Sequence, residues 1–363
     1  MGLHRVAIGV THRDMRTPLV FDGHNDLLTR LLQAGGPSAV PTFAKSGHGA
    51  IDAESARKGG FGGGFFAIWV PSPVDVNAKM AAMQGESYDM PLPEMVARGE
   101  ADAVVAREMA ILGELEAQGF VIVCRTVADL REAFGSDRLA AICHIEGAEA
   151  LSPDLSELDD LYAQGLRSLG PVWSRETIFG HGVPFRFPST GDIGPGLTEA
   201  GLRLVKRCDE LGIMLDLSHL NEAGFWDVAR TSSRPLVATH SGAHAVSPHA
   251  RNLTDKQLDA IAESDGMVGL NFACAFLRPD GKMRSDVGMD VMLRHLDHLL
   301  GRLGEDRVGL GSDYDGALVP QALSTVADLP VLRQAMVDHG FGEALVAKIC
   351  HENWFRVLEK SWA

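Results

Sequence analysis

The chain has 363 residues, of which 45% are hydrophobic and 22% charged, with a formal net charge of −15. The isoelectric point near 5.3 argues against nucleic acid or an anionic membrane surface as a partner, since like charges repel. A mean hydropathy of +0.02, with no apolar run of spanning length, describes an ordinary soluble globular protein and excludes a membrane-embedded one.

Taken along the chain, short apolar runs predict eight strands at 18–22, 64–70, 140–145, 166–172, 213–218, 235–239, 267–272 and 308–312. Each is rich in Val, Ile, Leu or Phe and short enough to be buried on both faces. Helical patterns occupy 94–118, 127–134, 198–211, 222–230, 255–263 and 287–303. Thr198 starts the third of these, with Gly212 as its stop, and Thr254 caps the fifth. This alternation predicts an α/β fold, a (β/α)₈ TIM-type barrel forming a single domain over 1–363, with extra C-terminal helices from 328–360 outside it. A doubly wound sheet would share the alternation, but no glycine-rich phosphate loop follows the first strand. The long Gly/Pro-rich loops at 34–64 and 175–196 are expected to build the mouth of a site. Five cysteines without CxxC spacing predict buried, reduced thiols. The segment Met1–Arg5 lacks a hydrophobic stretch long enough for secretion, which predicts a cytoplasmic protein.

Chemistry in such a barrel sits at the C-terminal strand ends. Those ends carry His24 and Asp26, Trp69, Glu146, Trp173, His219, His240, Asn271 and Asp313. In a strand, His24 and Asp26 share a face and offer an imidazole and a carboxylate together. His219 and His240 end consecutive strands, and buried carboxylates at one rim need cationic partners or metal. The simplest assembly gives His24 and Asp26 to one metal, His219 and His240 to another, and Glu146 to both as a bridge. Two such ions would activate one water between them, and the N/O donor set suits zinc best, two ions per chain. His144, two residues before Glu146, lies deeper and reads as structural.

Asp22-Gly23-His24-Asn25-Asp26, Ile145-Glu146-Gly147, Asp216-Leu217-Ser218-His219, Thr239-His240-Ser241, Arg251-Asn252 and Gly311-Ser312-Asp313-Tyr314-Asp315-Gly316 resemble the membrane (renal) dipeptidase family of zinc peptidases. The glycine-rich run 59–71 and Glu352-Asn353-Trp354-Phe355-Arg356-Val357 are similar to it as well, so the resemblance covers nearly the whole chain in order. It implies a binuclear zinc centre held by His24, Asp26, Glu146, His219 and His240, cleaving small dipeptides, in many members with a D-residue at the C-terminal position. It further assigns Arg251 to the substrate carboxylate and Asp313, with Glu146, to catalysis. Asn252, Tyr314 and Trp173 join Arg251 as substrate-binding positions. A guanidinium suits a free carboxylate, and an aspartate beyond a strand end is well placed to carry a proton. A small dipeptide is the expected partner, neither nucleic acid nor membrane is, and a homodimer is left open.

One position departs from the family pattern. Where members commonly have a histidine in a Leu-Thr-His-Ser pattern, this chain has Trp173 in Pro171-Val172-Trp173-Ser174. An indole donates one hydrogen bond but does not titrate, and His181 in the following loop is a candidate replacement. Two other readings follow: a metal amidohydrolase acting on another carboxylate-bearing amide, such as an N-acyl amino acid, and a non-catalytic metal-binding scaffold.

Overall fold

Eight of the apolar runs pair as parallel strands. In chain order they are β1 (Val20–Asn25), β2 (Phe61–Trp69), β3 (Leu139–Glu146), β4 (Leu166–Gly170), β5 (Met214–Leu215), β6 (Val237–Ser241), β7 (Met267–Asn271) and β8 (Val308–Gly311). The structure, a computed structural model, describes residues 18–72 and 76–363, so the reading of Met1–Arg5 lies outside the described residues. Main-chain hydrogen bonds link the strands in the order β5-β4-β3-β2-β1-β8-β7-β6. A parallel bridge between Asp216 and Val237, with the Leu217 N–H donating to the Val237 carbonyl at 2.9 Å, joins the remaining seam. The expected (β/α)₈ barrel is the result.

Most predicted helices form within a few residues of their expected bounds. Glu199–Leu211 starts at Thr198, whose hydroxyl accepts from the Gly201 N–H, and stops at the left-handed Gly212. Asp255–Glu263 begins with a reciprocal Thr254–Gln257 capping box. Three features differ from expectation. The fifth strand is two residues long rather than six, because the Asp216 side chain takes over the seam to β6 by accepting the Thr239 N–H at 2.8 Å. A short strand, Val121–Val123, adds beside the start of β3. The loop at 175–196 contains strands of its own: Glu176–Thr177 pairs with Gly180–His181, and Arg186–Phe187 pairs with Tyr88–Asp89.

The C-terminal helices do more than flank the barrel. Asn353–Ser361 is strongly amphipathic, and its Trp354 is fully buried against Phe21 and Phe65, at ring separations of 6.4 and 5.1 Å. The indole Nε1 donates to the Leu310 carbonyl at 3.1 Å. A β-carbon at Gly23, Gly269 or Gly309 would come within 2.9 Å of this ring, so three strands carry glycine where the indole packs. The other end of the barrel is thereby left for the site. Trp354→Ala should destabilise the fold by about 3–5 kcal/mol, the cost of a large cavity plus an orphaned carbonyl. Denaturant unfolding measures this as a lowered midpoint at unchanged slope.

Candidate metal centre

The barrel geometry gathers the predicted residues at one rim. His24 lies near the end of β1 with Asp26 just beyond it, Glu146 ends β3, His240 lies in β6, and His219 follows β5. His24 Nε2 is 3.4 Å from Asp26 Oδ2 and 3.7 Å from Glu146 Oε1. His219 Nε2 and His240 Nε2 lie 3.0 and 3.3 Å from that same Glu146 oxygen, and 3.0 Å from each other. Two triads result, His24–Asp26–Glu146 and Glu146–His219–His240, each with its ligand-type atoms within 4.8 Å of one another. They share Glu146, as a bridging ligand requires.

The donor set fits metal ions. His219 Nδ1 is 2.8 Å from the Ser174 hydroxyl and His240 Nδ1 is 2.9 Å from the Thr239 hydroxyl, which leaves both Nε2 atoms directed at the centre. Burial holds both rings well below the ordinary histidine pKa, in the neutral form that ligates. Glu146 Oε1 is buried without a hydrogen-bond donor, and burial pushes its carboxyl well above the usual range, with the His24 charge opposing. Burial also works against a charge on His24, but Glu146 and Asp26 outweigh it and raise the ring to about 10. A divalent cation satisfies all five groups where a proton satisfies two.

Two further aspartates support the ligands. Asp22 accepts from the Ser312 N–H at 2.6 Å and the Ser312 hydroxyl at 2.7 Å, tying β1 to the end of β8 beneath His24. Asp216 accepts from the N–H groups of Ser218 and Thr239 at 3.1 and 2.8 Å, and from their hydroxyls at 2.7 and 2.5 Å. Asp216 also groups spatially with His24 and His240, but these four donors occupy its oxygens. His144 Nδ1 meets the Ser168 hydroxyl at 2.9 Å, a scaffold contact.

A cavity of about 350 Å³ opens over the triads, lined by Asp26, Glu146, His219 and Asp313 together with Trp69, Trp173, Phe185, Phe276 and Lys79. Asp313 adopts a left-handed backbone (φ 61°), and its Oδ2 accepts from Asn271 Nδ2 at 3.0 Å. Gly316 must lack a side chain, since a β-carbon there would fall 2.0 Å from Asp26 Oδ2. Arg251 sits behind His219: its guanidinium donates to the Ser218 carbonyl, to the His240 carbonyl at 3.3 Å, and approaches His219 Nε2 at 3.1 Å. Trp173 stands in the wall, 5.7 Å from the His219 ring and 5.2 Å from Trp69. Arg251, Asn252 and Tyr314 do not line the cavity. Asn252 bonds the main chain of Gly242, Ser247 and Phe276, and the Tyr314 hydroxyl donates to the Thr325 carbonyl at 3.2 Å. The His181 ring pairs with Glu176 at 3.0 Å and does not line the cavity either, so it is not positioned as the candidate replacement at Trp173.

Glu108 was not anticipated. This fully buried carboxyl accepts from the Thr29 hydroxyl at 2.9 Å and the Trp69 N–H at 2.7 Å, bracing two cavity-lining residues. The signal was present: Ala101, Val105, Glu108, Leu112 and Leu115 fall on one helical stripe.

This barrel and rim define a metal-dependent hydrolase. The chain belongs to the membrane dipeptidase family (peptidase family M19), whose model matches residues 11–362. A Rhodobacter sphaeroides metallopeptidase, solved with a phosphinate mimic of the dipeptide L-Ala-D-Ala, is 53% identical and superposes with a TM-score of 0.92, covering 95% of this chain and 100% of that one. A second solved dipeptidase, described as a metallopeptidase of family M19, is 54% identical with a TM-score of 0.92, over 95% of this chain and 99% of that one. An uncharacterized Klebsiella pneumoniae protein from the pqqA 5′ region is 43% identical, over 73% of this chain and 98% of its own length. The protein is thus a metal-dependent dipeptidase. No helix among the described residues is long and apolar enough to cross a membrane.

Burial raises the Glu108 carboxyl to about 8, with Asp26 adding to the shift and the Thr29 and Trp69 hydrogen bonds opposing it. Its folded value exceeds the unfolded one, so its contribution to stability is complete below about 4.5 and is lost as pH rises through about 8. Unfolding of the wild type should therefore show a loss on the order of 3–5 kcal/mol between pH 5 and 8 that Glu108→Gln lacks. Equal pH slopes in the two proteins would show that Glu108 is not protonated in the fold.

Proposed function

We propose that the protein is a binuclear zinc dipeptidase, acting on small dipeptides including those with a C-terminal D-residue. The observation that carries this reading is the shared position of Glu146 in two ligand triads. The R. sphaeroides relative's dipeptide mimic supports the substrate class. His24 and Asp26 would hold one ion, His219 and His240 the other, and Glu146 both. When bound, the ions polarise the scissile carbonyl and lower the pKa of water at the site. Asp313, fixed by Asn271, accepts the proton of the attacking water and returns it to the leaving amine nitrogen. Arg251 is the reader of the substrate's free carboxylate once its guanidinium turns from His219. Burial lowers it only to about 10, so it keeps its charge at neutral pH. Trp173 closes the wall and supplies at most one N–H toward the carbonyl oxygen, and we assign Asn252 and Tyr314 to support rather than substrate contact. A cytoplasmic location fits the reduced, buried cysteines.

Metal analysis should find close to two zinc ions per chain. Glu146→Gln should lose at least one of them and nearly all hydrolysis, since a neutral amide bridges poorly. A variant that keeps both ions and the wild-type rate would remove Glu146 from the centre.

Trp173→His separates the two enzyme readings. If the indole only shapes the pocket, the new imidazole should raise kcat on standard dipeptides, by less than the roughly 10²–10³ of a well-supported oxyanion donor. If the variant instead loses activity with both metals bound, the indole contacts substrate, and another carboxylate-bearing amide becomes the better candidate.

A further inference from the structure

The dipeptidase reading does not use Lys79, the one lysine lining the cavity among the described residues. Its Nζ lies 3.9 Å from the centre of the Phe185 ring and 5.6 Å from that of Trp173. Among the described residues its ammonium has no ion pair or hydrogen bond, though Asp313 and Arg251 are close enough to act on its charge, and the chain holds 48 acidic residues against 33 basic ones. Contact with an aromatic face is worth about 0.5–2 kcal/mol, less than the several kcal/mol that desolvating an ion costs. Burial lowers the ammonium only to about 8, so it remains mostly charged at neutral pH.

The rings relate Lys79 to the carboxylate end of the substrate. Phe185 stacks on Phe276 at 5.9 Å with an interplanar angle of 12°, and the Arg251 guanidinium lies 5.4 Å from the centre of Phe276. Arg251 and Lys79 therefore flank one stacked aromatic pair. The carboxylate of Asp313, bonded on Oδ2 by Asn271, lines the same cavity and suits the substrate's α-ammonium. A dipeptide held by its terminal carboxylate at Arg251 would carry its C-terminal side chain along the phenyl pair toward Lys79.

We propose that Lys79 forms an anion subsite that selects dipeptides whose C-terminal residue bears an acidic side chain. The proposal rests on the dipeptidase reading and names the substrate class within it.

The test compares L-Ala-L-Glu with its neutral isostere L-Ala-L-Gln, by kcat/KM on the zinc-loaded protein and by calorimetric binding to metal-stripped protein. The wild type should prefer the acid by roughly tenfold or more in turnover, as expected for a partly desolvated charge pair. Lys79→Met should bring the ratio to about one, Lys79→Arg should retain a preference for the acid, and Lys79→Glu should reverse it. The reversed-order pair L-Glu-L-Ala and L-Gln-L-Ala should be used about equally. A wild-type ratio near one, a ratio that survives in Lys79→Met, or a preference confined to the reversed-order pair overturns the subsite. Hydrolysis of L-Ala-L-Ala alongside such a result leaves the dipeptidase reading standing. If no dipeptide is cleaved, that reading fails, and the calorimetric comparison alone judges the subsite.

Discussion

A single carboxylate oxygen, Glu146 Oε1, faces three imidazole nitrogens at 3.0, 3.3 and 3.7 Å inside a buried rim. Protons satisfy this arrangement poorly. One on His24 pairs with Glu146, but His219 and His240 are held neutral by burial, and their lone pairs then point at a negative oxygen. Such a constellation persists only where the surroundings over-determine it and a multivalent cation can resolve it. That constraint accounts for the hydrogen bonds invested behind the ligands.

Asp22 and Asp216 are the clearest of these. Each accepts hydrogen bonds at a strand seam where neighbouring main-chain groups would otherwise pair, β1 with β8 and β5 with β6. Because each carboxylate binds both main chain and hydroxyl, the strand ends are locked in relative height. His24, His219 and His240 are thereby fixed before any ligand arrives. Lateral precision of this kind is what a metal centre requires, since loss of outer support commonly costs 10- to 100-fold in affinity. The same substitution of side chain for ladder shortens β5 to two residues.

Strand order and the side chains gathered at the rim were legible in the sequence because both depend on local pattern: apolar runs buried on two faces, and polar residues at their ends. What was not legible depends on neighbours distant in sequence. Gly23, Gly269 and Gly309 gain meaning only when three strands meet one indole, so Trp354 read as part of an outer helix. Glu108 sat on an apolar helical stripe and could have been singled out as a buried acid, yet its partners, Thr29 and Trp69, lie 79 and 39 residues away. Lys79 gave no signal of its own, because Phe185 and Trp173 reach it from later loops. Arg251, Asn252 and Tyr314 were placed together by motif, and the fold separates them: Arg251 reaches His219 as well as main chain, while the side chains of the other two bond to main chain alone.

Polarity across the cavity bears on how a dipeptide would be oriented. Asp26, Asp313 and Asp315 come from the β1 and β8 side. Asp315 is already paired, with Arg30 at 2.9 Å and the Ala50 N–H at 2.7 Å, and Asp26 lies in a ligand-type triad. That leaves Asp313 as the open negative group. Lys79 and Arg251 approach from the opposite charge sense, joined by Phe276 and Phe185 rather than by a counter-ion. Under the proposed reading, a zwitterion would align its ammonium with Asp313 and its carboxylate with Arg251. In this arrangement charge at the two ends would fix register, so an indole at Trp173 would leave the binding field intact. An aromatic wall in that place also lowers the local dielectric, which strengthens every remaining charge contact in the cavity.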